Sequence, residues 1–395
     1  MELPKIYLKS QRDQSILRRH PWVFSGAIAS MDSGLKDGDL VNVYDHHKAL
    51  LAFGHFYKGS IAIKILSFGT ATYHPSIWKE KLALAYDLRI SLIRSGLLNS
   101  DAWRWVHGEG DGLPGLIVDR YGTTVVIQCH TIGMHRSIDL IAEAILHCDP
   151  DGIHCIYDKS KESLPPEYAA NIENRAVFGD LIPCQISEHG LNYHIDPVTG
   201  QKTGFFLDQR DNRALVKKWS QGKKVLNTFS YTGGFSLAAL AGGAAEVCSV
   251  DVSARAMELL EKNLALNELQ SPNHTSIVAD VPAFLKDQQK GHYDLIILDP
   301  PAFAKSIHKR HNAIKAYTRL NQAALQLIDQ KGLLFTFSCS QVVTEELFYG
   351  AVSAAAMEVG RNVRLLARLG QGPDHPVNFF HPEGHYLKGL LLYVE

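Results

Sequence analysis

The sequence predicts an α/β protein with a doubly wound parallel sheet at its C-terminal end, a small β-rich unit at its N-terminal end and a mixed α/β section between. Three patterns carry that expectation. From about residue 223, apolar strand-length runs alternate strictly with helical stretches, the arrangement that builds parallel βα units. Before residue 70, short runs of alternating or continuous apolar residues are separated by Gly and Asp, as in a small β-sheet. Between these regions a single long helical pattern is followed by further strand runs.

Taken in order, strands are expected over 41–44, 50–56 and 61–66. Trp78, Leu82, Ala85 and Leu88 recur at helical spacing, so a helix is expected from Ser76 through Leu98, with Pro75 near its start and Gly96 near its end. Strands over 115–120, 123–129 and 152–157 and a helix over 137–146 follow. The alternating region then reads as strands 224–227, 247–251, 276–279, 294–298 and 333–337. Helices are expected from Phe235 and over 254–266, 283–287, 317–329 and 345–359. Two last apolar stretches, 364–369 and 386–394, suit an antiparallel hairpin closing the sheet edge.

The composition narrows the functional classes. At 395 residues the chain is too long for one ordinary domain, and 46% hydrophobic with 21% charged residues is the average of soluble globular proteins. The most apolar stretch, 227–247, is interrupted by polar residues and glycines and does not read as a bilayer span. The first nine residues lack the apolar core of a signal peptide, and the six cysteines show no CxxC pairing. A reducing, cytoplasmic setting is the expectation. Net charge is −1, but residues 1–20 carry five Lys/Arg against two Asp/Glu. A second basic cluster runs from Lys305 to His311, and such patches commonly meet phosphate backbones.

Two strand ends carry the chemistry. Tyr293-Asp-Leu-Ile-Ile-Leu-Asp-Pro-Pro301 is an apolar strand ending in a carboxylate, and the proline pair stops the strand and stiffens the loop beyond it. Asp299 thus sits where open α/β sheets bind ligands. The next strand ends in Ser338-Cys339-Ser340, which brings a thiol to the neighbouring strand end. Earlier, Thr232-Gly-Gly-Phe follows the first strand, Asp251 ends the second and Asp280 ends the third. Paired glycines admit a ligand close to backbone, and a carboxylate at Asp251 suits ribose hydroxyls. A nicotinamide enzyme would share those features but has no need of Asp-Pro-Pro and a strand-end thiol. His107-Gly-Glu-Gly-Asp-Gly-Leu-Pro-Gly115 lacks the Gly-Lys-Ser/Thr ending of a phosphate loop and reads as a tight strand connection. His46–His47 and His308/His311 lack a completing ligand set, so no metal is expected.

These residues resemble the class I S-adenosylmethionine methyltransferases that modify nucleobases. Gly200-Gln-Lys-Thr-Gly-Phe-Phe-Leu-Asp-Gln-Arg-Asp-Asn-Arg213, Gly108–Gly115, and Asp374-His-Pro-Val with Glu383-Gly-His-Tyr-Leu-Lys-Gly389 sharpen the match. Over essentially its whole length the chain is similar to the large-subunit ribosomal RNA methyltransferase I family, whose members make 5-methylcytosine in 23S rRNA. The resemblance implies a PUA-like RNA-binding β-barrel over 1–70, a central mixed α/β domain over 71–190 and a Rossmann-like class I methyltransferase domain over 191–395. It implies S-adenosyl-L-methionine as cofactor, held by Asn227, Thr228, Phe229, Gly233, Asp251, Asp280 and Asp299, with Gln209 and Arg210 nearby. The implied partner is 23S rRNA, free or in an assembling large subunit, with no membrane. Monomer and homodimer both stay open.

Carbon 5 of cytosine is a poor nucleophile, and thiolate addition at carbon 6 activates it, which gives Cys339 the nucleophile's role and Asp299 that of base binding. The plain alternative for Cys339 is a small buried strand-end residue, and for Asp251 and Asp280 strand-end capping. Many RNA cytosine-5 methyltransferases carry a second cysteine directly after Asp-Pro-Pro; here Ala302 stands there. For Lys202, Phe205 and Arg213, loop packing and substrate contact are equally open. The competing functions are a nitrogen-directed base methyltransferase (guanine N7, for example), which needs no thiol, a non-catalytic RNA-binding assembly factor, and a small-molecule methyltransferase, against which the long N-terminal region argues.

Overall fold

The computed structural model describes every residue except Met1, Ala71 and Lys305, so the first residue of the second basic cluster lies outside the described residues. The chain divides into two compact units. One comprises Met1–Ile186, Ile195–Leu207 and Pro373–Gly384, the other Ser187–His194, Asp208–Gly372 and His385–Glu395. Among the described residues no helix is long and apolar enough to cross a membrane.

The first unit contains two sheets. Six strands form one, in the order Trp22–Phe24, Ile61–Phe68, Leu50–Phe56, Leu40–Tyr44, Lys5–Leu8 and Ile28–Met31. Alternating residues such as Ile6, Val41, Val43, Ile63 and Ile65 make its core. Three of these strands match expectation. The other three are only three or four residues long, too short to show a period.

The second sheet holds Ala102–His107, Leu116–Tyr121, Thr124–Cys129, Cys155–Asp158 and Arg175–Phe178. Helices Ser76–Arg94 and Ile138–Cys148 share its core, where Trp78, Leu82, Trp105, Ile141 and Ile145 are buried. The first helix stops at Arg94, four residues before Leu98, because Gly96 turns left-handed (φ +74°) and the amides of Leu97 and Leu98 fold back onto Leu92 O. The Gly108–Gly115 segment is a strand connection, and its Asp111 receives the buried Arg89 guanidinium.

The second unit is built on a seven-stranded sheet. Its strands are β1 (Lys224–Thr228), β2 (Glu246–Asp251), β3 (His274–Val278), β4 (Tyr293–Leu298), β5 (Ile328–Ser338), β6 (Val363–Leu369) and β7 (Lys388–Val394). The spatial order is β3-β2-β1-β4-β5-β7-β6, the first five parallel and β7 antiparallel to both neighbours. The expected closing hairpin is therefore present, with β7 inserted between β5 and β6. Helix α1 (Arg210–Trp219) leads into β1, and helices α2 (Gly234–Ala241), α3 (Ala254–Leu266), α4 (Val281–Lys286), α5 (Arg310–Leu327) and α6 (Glu345–Glu358) connect the strands.

In the second unit the largest departures from the expected helices are at α1 and α5. Helix α1 carries no clear apolar period that would announce it, because six of its ten residues are polar or charged. Helix α5 starts seven residues before Tyr317, since Arg310-His-Asn312 in its first turn is exposed and breaks the apolar period. It also ends two residues earlier than Asp329, because Ile328 is already extended (ψ 136°) and opens β5.

Candidate active site

The carboxyl ends of β1, β2, β4 and β5 form one row, fixed by parallel register: Thr228 pairs with Val250 and Leu298, and Leu298 with Thr336. At the end of β1 the chain turns sharply. Phe229 (φ +54°), Tyr231 (φ +47°) and Gly233 (φ +81°) all take the left-handed conformation before α2 begins. Only Gly233 has no side-chain penalty there. A Cβ at this position would sit 2.5 Å from Leu260 Cγ, so the glycine is required by packing as well as by φ. Holding two other residues left-handed costs on the order of 1–3 kcal/mol each, a strain characteristic of ligand-binding turns.

The turn is tied to the next strand end. Asp251 accepts the Tyr231 amide at Oδ2 and the Ser253 amide at Oδ1, both at 2.9 Å, which fixes the carboxylate while leaving lone pairs available. Asp280 is exposed and caps α4 by accepting the Ala283 amide at 3.0 Å. Capping is thus its local task, and its remaining lone pairs stay available. Beneath the turn, Thr228 Oγ1 donates to Ile297 O at 2.7 Å. The buried Asn227 Nδ2 donates to Ser236 Oγ at 2.8 Å, the start of a chain through Ser249 to His274, and Asn227 Oδ1 has no partner among the described residues.

On the other side of β1, Asp299 follows β4 and is half-buried. Gln209 Nε2 donates to its Oδ2 at 3.0 Å, and Gln209 Oε1 in turn accepts from Asn212 Nδ2 at 2.6 Å. Asn212 Nδ2 also reaches Gly370 O at 3.1 Å, so the acid is held through a buried relay. Arg210, fully buried, pairs through Nε with Asp211 at 3.2 Å.

Cys339 lies just beyond β5, half-buried, with Sγ 3.9 Å from Pro300 O. The Asp-Pro-Pro turn and the thiol are therefore neighbours. Ser340 fastens them together: its Oγ accepts the Ala304 amide at 3.4 Å and bonds the Tyr317 hydroxyl at 3.2 Å. Burial pushes the thiols of Cys148 and Cys248 up to about 11, that of Cys184 up to about 12, and those of Cys129 and Cys155 upward too. Such thiols are poor nucleophiles at neutral pH.

The structure separates the residues left open in the sequence. Arg213 forms a buried two-bond pair with Glu188 at 2.7 and 2.6 Å, and its Cδ would lie 2.9 Å from a Cβ on Gly234. It thus packs against Gly234 of the turn. Phe205 is buried in the first unit, and exposed Lys202 lays its ammonium 4.5 Å from the Phe206 ring centre. In the second basic cluster, Ile307–Lys309 form a 3-10 turn leading into α5, and the residues 306–311 are exposed. The one described set of potential metal ligands, His20, His381 and Glu383, lies in the first unit and involves neither of the histidine pairs that stand out in the sequence.

One further residue at the site has no role in the sequence reading. Lys388, which opens β7, is buried at 4% exposure and donates from Nζ to Ser340 O and Tyr386 O, both at 2.7 Å. In the sequence it stands inside the Glu383–Gly389 stretch that carries the family resemblance, with no role of its own.

Comparison with known proteins agrees with this architecture. A family model described as S-adenosylmethionine-dependent methyltransferase matches residues 165–377, and one described as PUA-like domain matches residues 6–68. Ribosomal RNA large subunit methyltransferase I of Salmonella enteritidis is 36% identical, covering 98% of this chain and 97% of that protein. The protein of the same name from Klebsiella pneumoniae is likewise 36% identical with the same coverage. Among solved structures, a candidate SAM-dependent methyltransferase from Streptococcus mutans superposes over 100% of both chains, with a TM-score of 0.83 at 25% identity. A methyltransferase structure complexed with SAH gives a TM-score of 0.84, also at 25% identity and full coverage of both chains. The strand order, the strained glycine turn and the full-length likeness agree: the chain belongs to the S-adenosylmethionine-dependent methyltransferases, in the family of ribosomal RNA large subunit methyltransferase I.

Proposed function

We propose that the protein methylates carbon 5 of a cytosine in 23S ribosomal RNA through a transient covalent bond from Cys339. The observation that carries this reading is the half-buried Cys339 thiol beside the Asp299-Pro-Pro turn, with Sγ 3.9 Å from Pro300 O. The names of the full-length relatives support ribosomal RNA as substrate, and the PUA-like match over residues 6–68 supports an RNA-docking role for the N-terminal region.

The donor set suits the cofactor. Two carboxylates at adjacent strand ends are acceptors for an adenosine: Asp251 for ribose hydroxyls and Asp280 for the adenine amine. In this reading Asn227, Thr228, Phe229 and Gly233 line the same turn, with the unpartnered buried Asn227 Oδ1 as a further acceptor, while Gln209 and Arg210 support the Asp299 side. S-adenosylmethionine supplies an electrophilic methyl group carried on a sulfonium.

The chain's own residues prepare the base. The Cys339 thiolate adds to carbon 6, forming an S–C6 bond, and the C5=C6 electron pair shifts so that carbon 5 becomes nucleophilic. Asp299, oriented by Gln209, accepts a hydrogen bond from the exocyclic amine of the base and holds its N3 edge. After carbon 5 has gained the methyl group and lost its proton, the S–C6 bond breaks, the electrons return to C5=C6 and Cys339 is regenerated. Nitrogen-directed transfer would need none of this, since a ring or amine nitrogen already has a lone pair.

The test is to analyse nucleosides of 23S rRNA from cells that have or lack the protein, and from cells carrying Cys339→Ala. The expected result is one 5-methylcytosine that disappears in both altered strains. Turnover of the variant should fall by on the order of 10⁴-fold or more, the scale seen on removing a nucleophile. Restoration of the mark by Cys339→Ala, or a methyl group on nitrogen, would refute the assignment.

A further inference from the structure

Lys388 is the only charged residue of β7, and the antiparallel ladder sets it opposite Ser338. Its Nζ binds the carbonyl of Ser340 on one side and that of Tyr386 on the other. Cys339 therefore lies between the residue facing Lys388 across the ladder and the residue whose carbonyl holds its ammonium. Two of three N–H donors are committed to carbonyls.

Those two bonds would be enough for a structural cross-brace, but they do not supply a countercharge. Taking an ammonium out of water is costly unless a negative group answers it. Among the described residues, the acidic groups acting on Lys388 are Cys339 and, after it, Glu345. Glu345 is already paired with Arg368. The group left to balance the ammonium is the Cys339 sulfur.

We infer that Lys388 is the cationic partner of Cys339, stabilising the thiolate form over the thiol in the resting enzyme. The inference rests on the reading of Cys339 as nucleophile, and it makes Lys388 a positioning residue. Burial pushes the Lys388 ammonium down to about 8, with Cys339 and Glu345 drawing it back up. The cation is thus present at neutral pH and fades as pH rises through that value. The other titratable groups at the cluster are Asp299, whose Asp-Pro-Pro turn borders the thiol, and Tyr317 on α5, which reaches it through Ser340 and whose phenol burial pushes up. The phenol stays neutral over the range that matters.

The experiment is the pH profile of Cys339 alkylation by iodoacetamide in the full-length protein, read peptide by peptide so that half-buried Cys148 is counted separately. At pH 7 wild-type Cys339 should react about tenfold or more faster than in Lys388→Met, because each unit of thiol midpoint changes thiolate about tenfold. Lys388→Arg, which keeps the charge, should retain most of the reactivity. Equal midpoints in wild type and Lys388→Met would overturn the pairing. So would a wild-type midpoint at or above that of an ordinary cysteine, a result that needs no variant to fold. Methylation by Cys339→Ala alongside a shifted midpoint in Lys388→Met would instead remove the nucleophile reading and leave the thiol–ammonium pair standing.

Discussion

Along the strand ends of the second unit, the β3-β2-β1 half and the β4-β5-β7 half are built by different means. The first half is local. Asp251 is pinned by amides two and twenty residues away, Asp280 by one three residues away, and the turn between β1 and α2 is shaped by its own backbone. The second half is assembled from distant side chains. Gln209 reaches Asp299 across 90 residues, Tyr317 reaches Ser340 across 23, and Lys388 reaches Ser340 across 48. A half that presents fixed backbone and carboxylates suits a ligand bound unchanged. A half that places a thiol, a carboxylate and a buried ammonium together suits bond making. If that division holds, each half can be disabled while the other keeps its own property.

The largest expected effect from the first half is Gly233→Ala. The added Cβ meets Leu260 Cγ at 2.5 Å in a backbone at φ +81°, and the strain, about 1–3 kcal/mol, should appear as a roughly ten- to hundredfold loss of cofactor affinity. Calorimetric titration measures it, and Cys339 alkylation should not change. Coupled loss of both would show that the halves are not separable. Asp251→Asn should be milder. The amide oxygen keeps one acceptor for the turn but loses charge and an acceptor for the ribose, worth about 1–1.5 kcal/mol in the same titration. Unaltered affinity would mean that the ribose is held elsewhere. The smallest effect concerns neither half. Arg12, Arg18 and Arg19 are exposed, and changing all three to Gln should lower the slope of RNA affinity against salt by about 0.7 per lost phosphate contact. Cofactor affinity should stay at the wild-type value, and an unchanged salt slope would take these arginines out of RNA binding.

The same division explains what could be read in the sequence. Strand-to-turn patterns such as Thr232-Gly-Gly-Phe and Leu298-Asp-Pro-Pro announce themselves because neighbours in sequence are neighbours in space. The alternation of β1 through β5 was legible for that reason, as was the closing strand pair. The support of the site was not. In the sequence Arg213 is as suited to substrate as to packing, and only the fold sets Glu188 beside it; nothing in Gln209 says that it will orient Asp299. Lys388 was hidden most completely, because its meaning depends on an antiparallel strand sliding in next to β5. The capping readings of Asp251 and Asp280 also proved partly true, since both carboxylates bind local amides and still have lone pairs to offer.

The central claim is that Cys339 forms a bond to carbon 6 of the target cytosine, and trapping that bond tests it most directly. RNA carrying 5-fluorocytosine at the target position, mixed with enzyme and S-adenosylmethionine, should stall after methyl transfer, because fluorine cannot leave carbon 5 as a proton and Cys339 cannot be eliminated. Denaturing electrophoresis of radiolabelled RNA should then show a protein-linked band with wild type and none with Cys339→Ala. A band of equal strength in the variant, or a fully active variant with no band in either protein, would contradict the account and shift the activity to a nitrogen of the base.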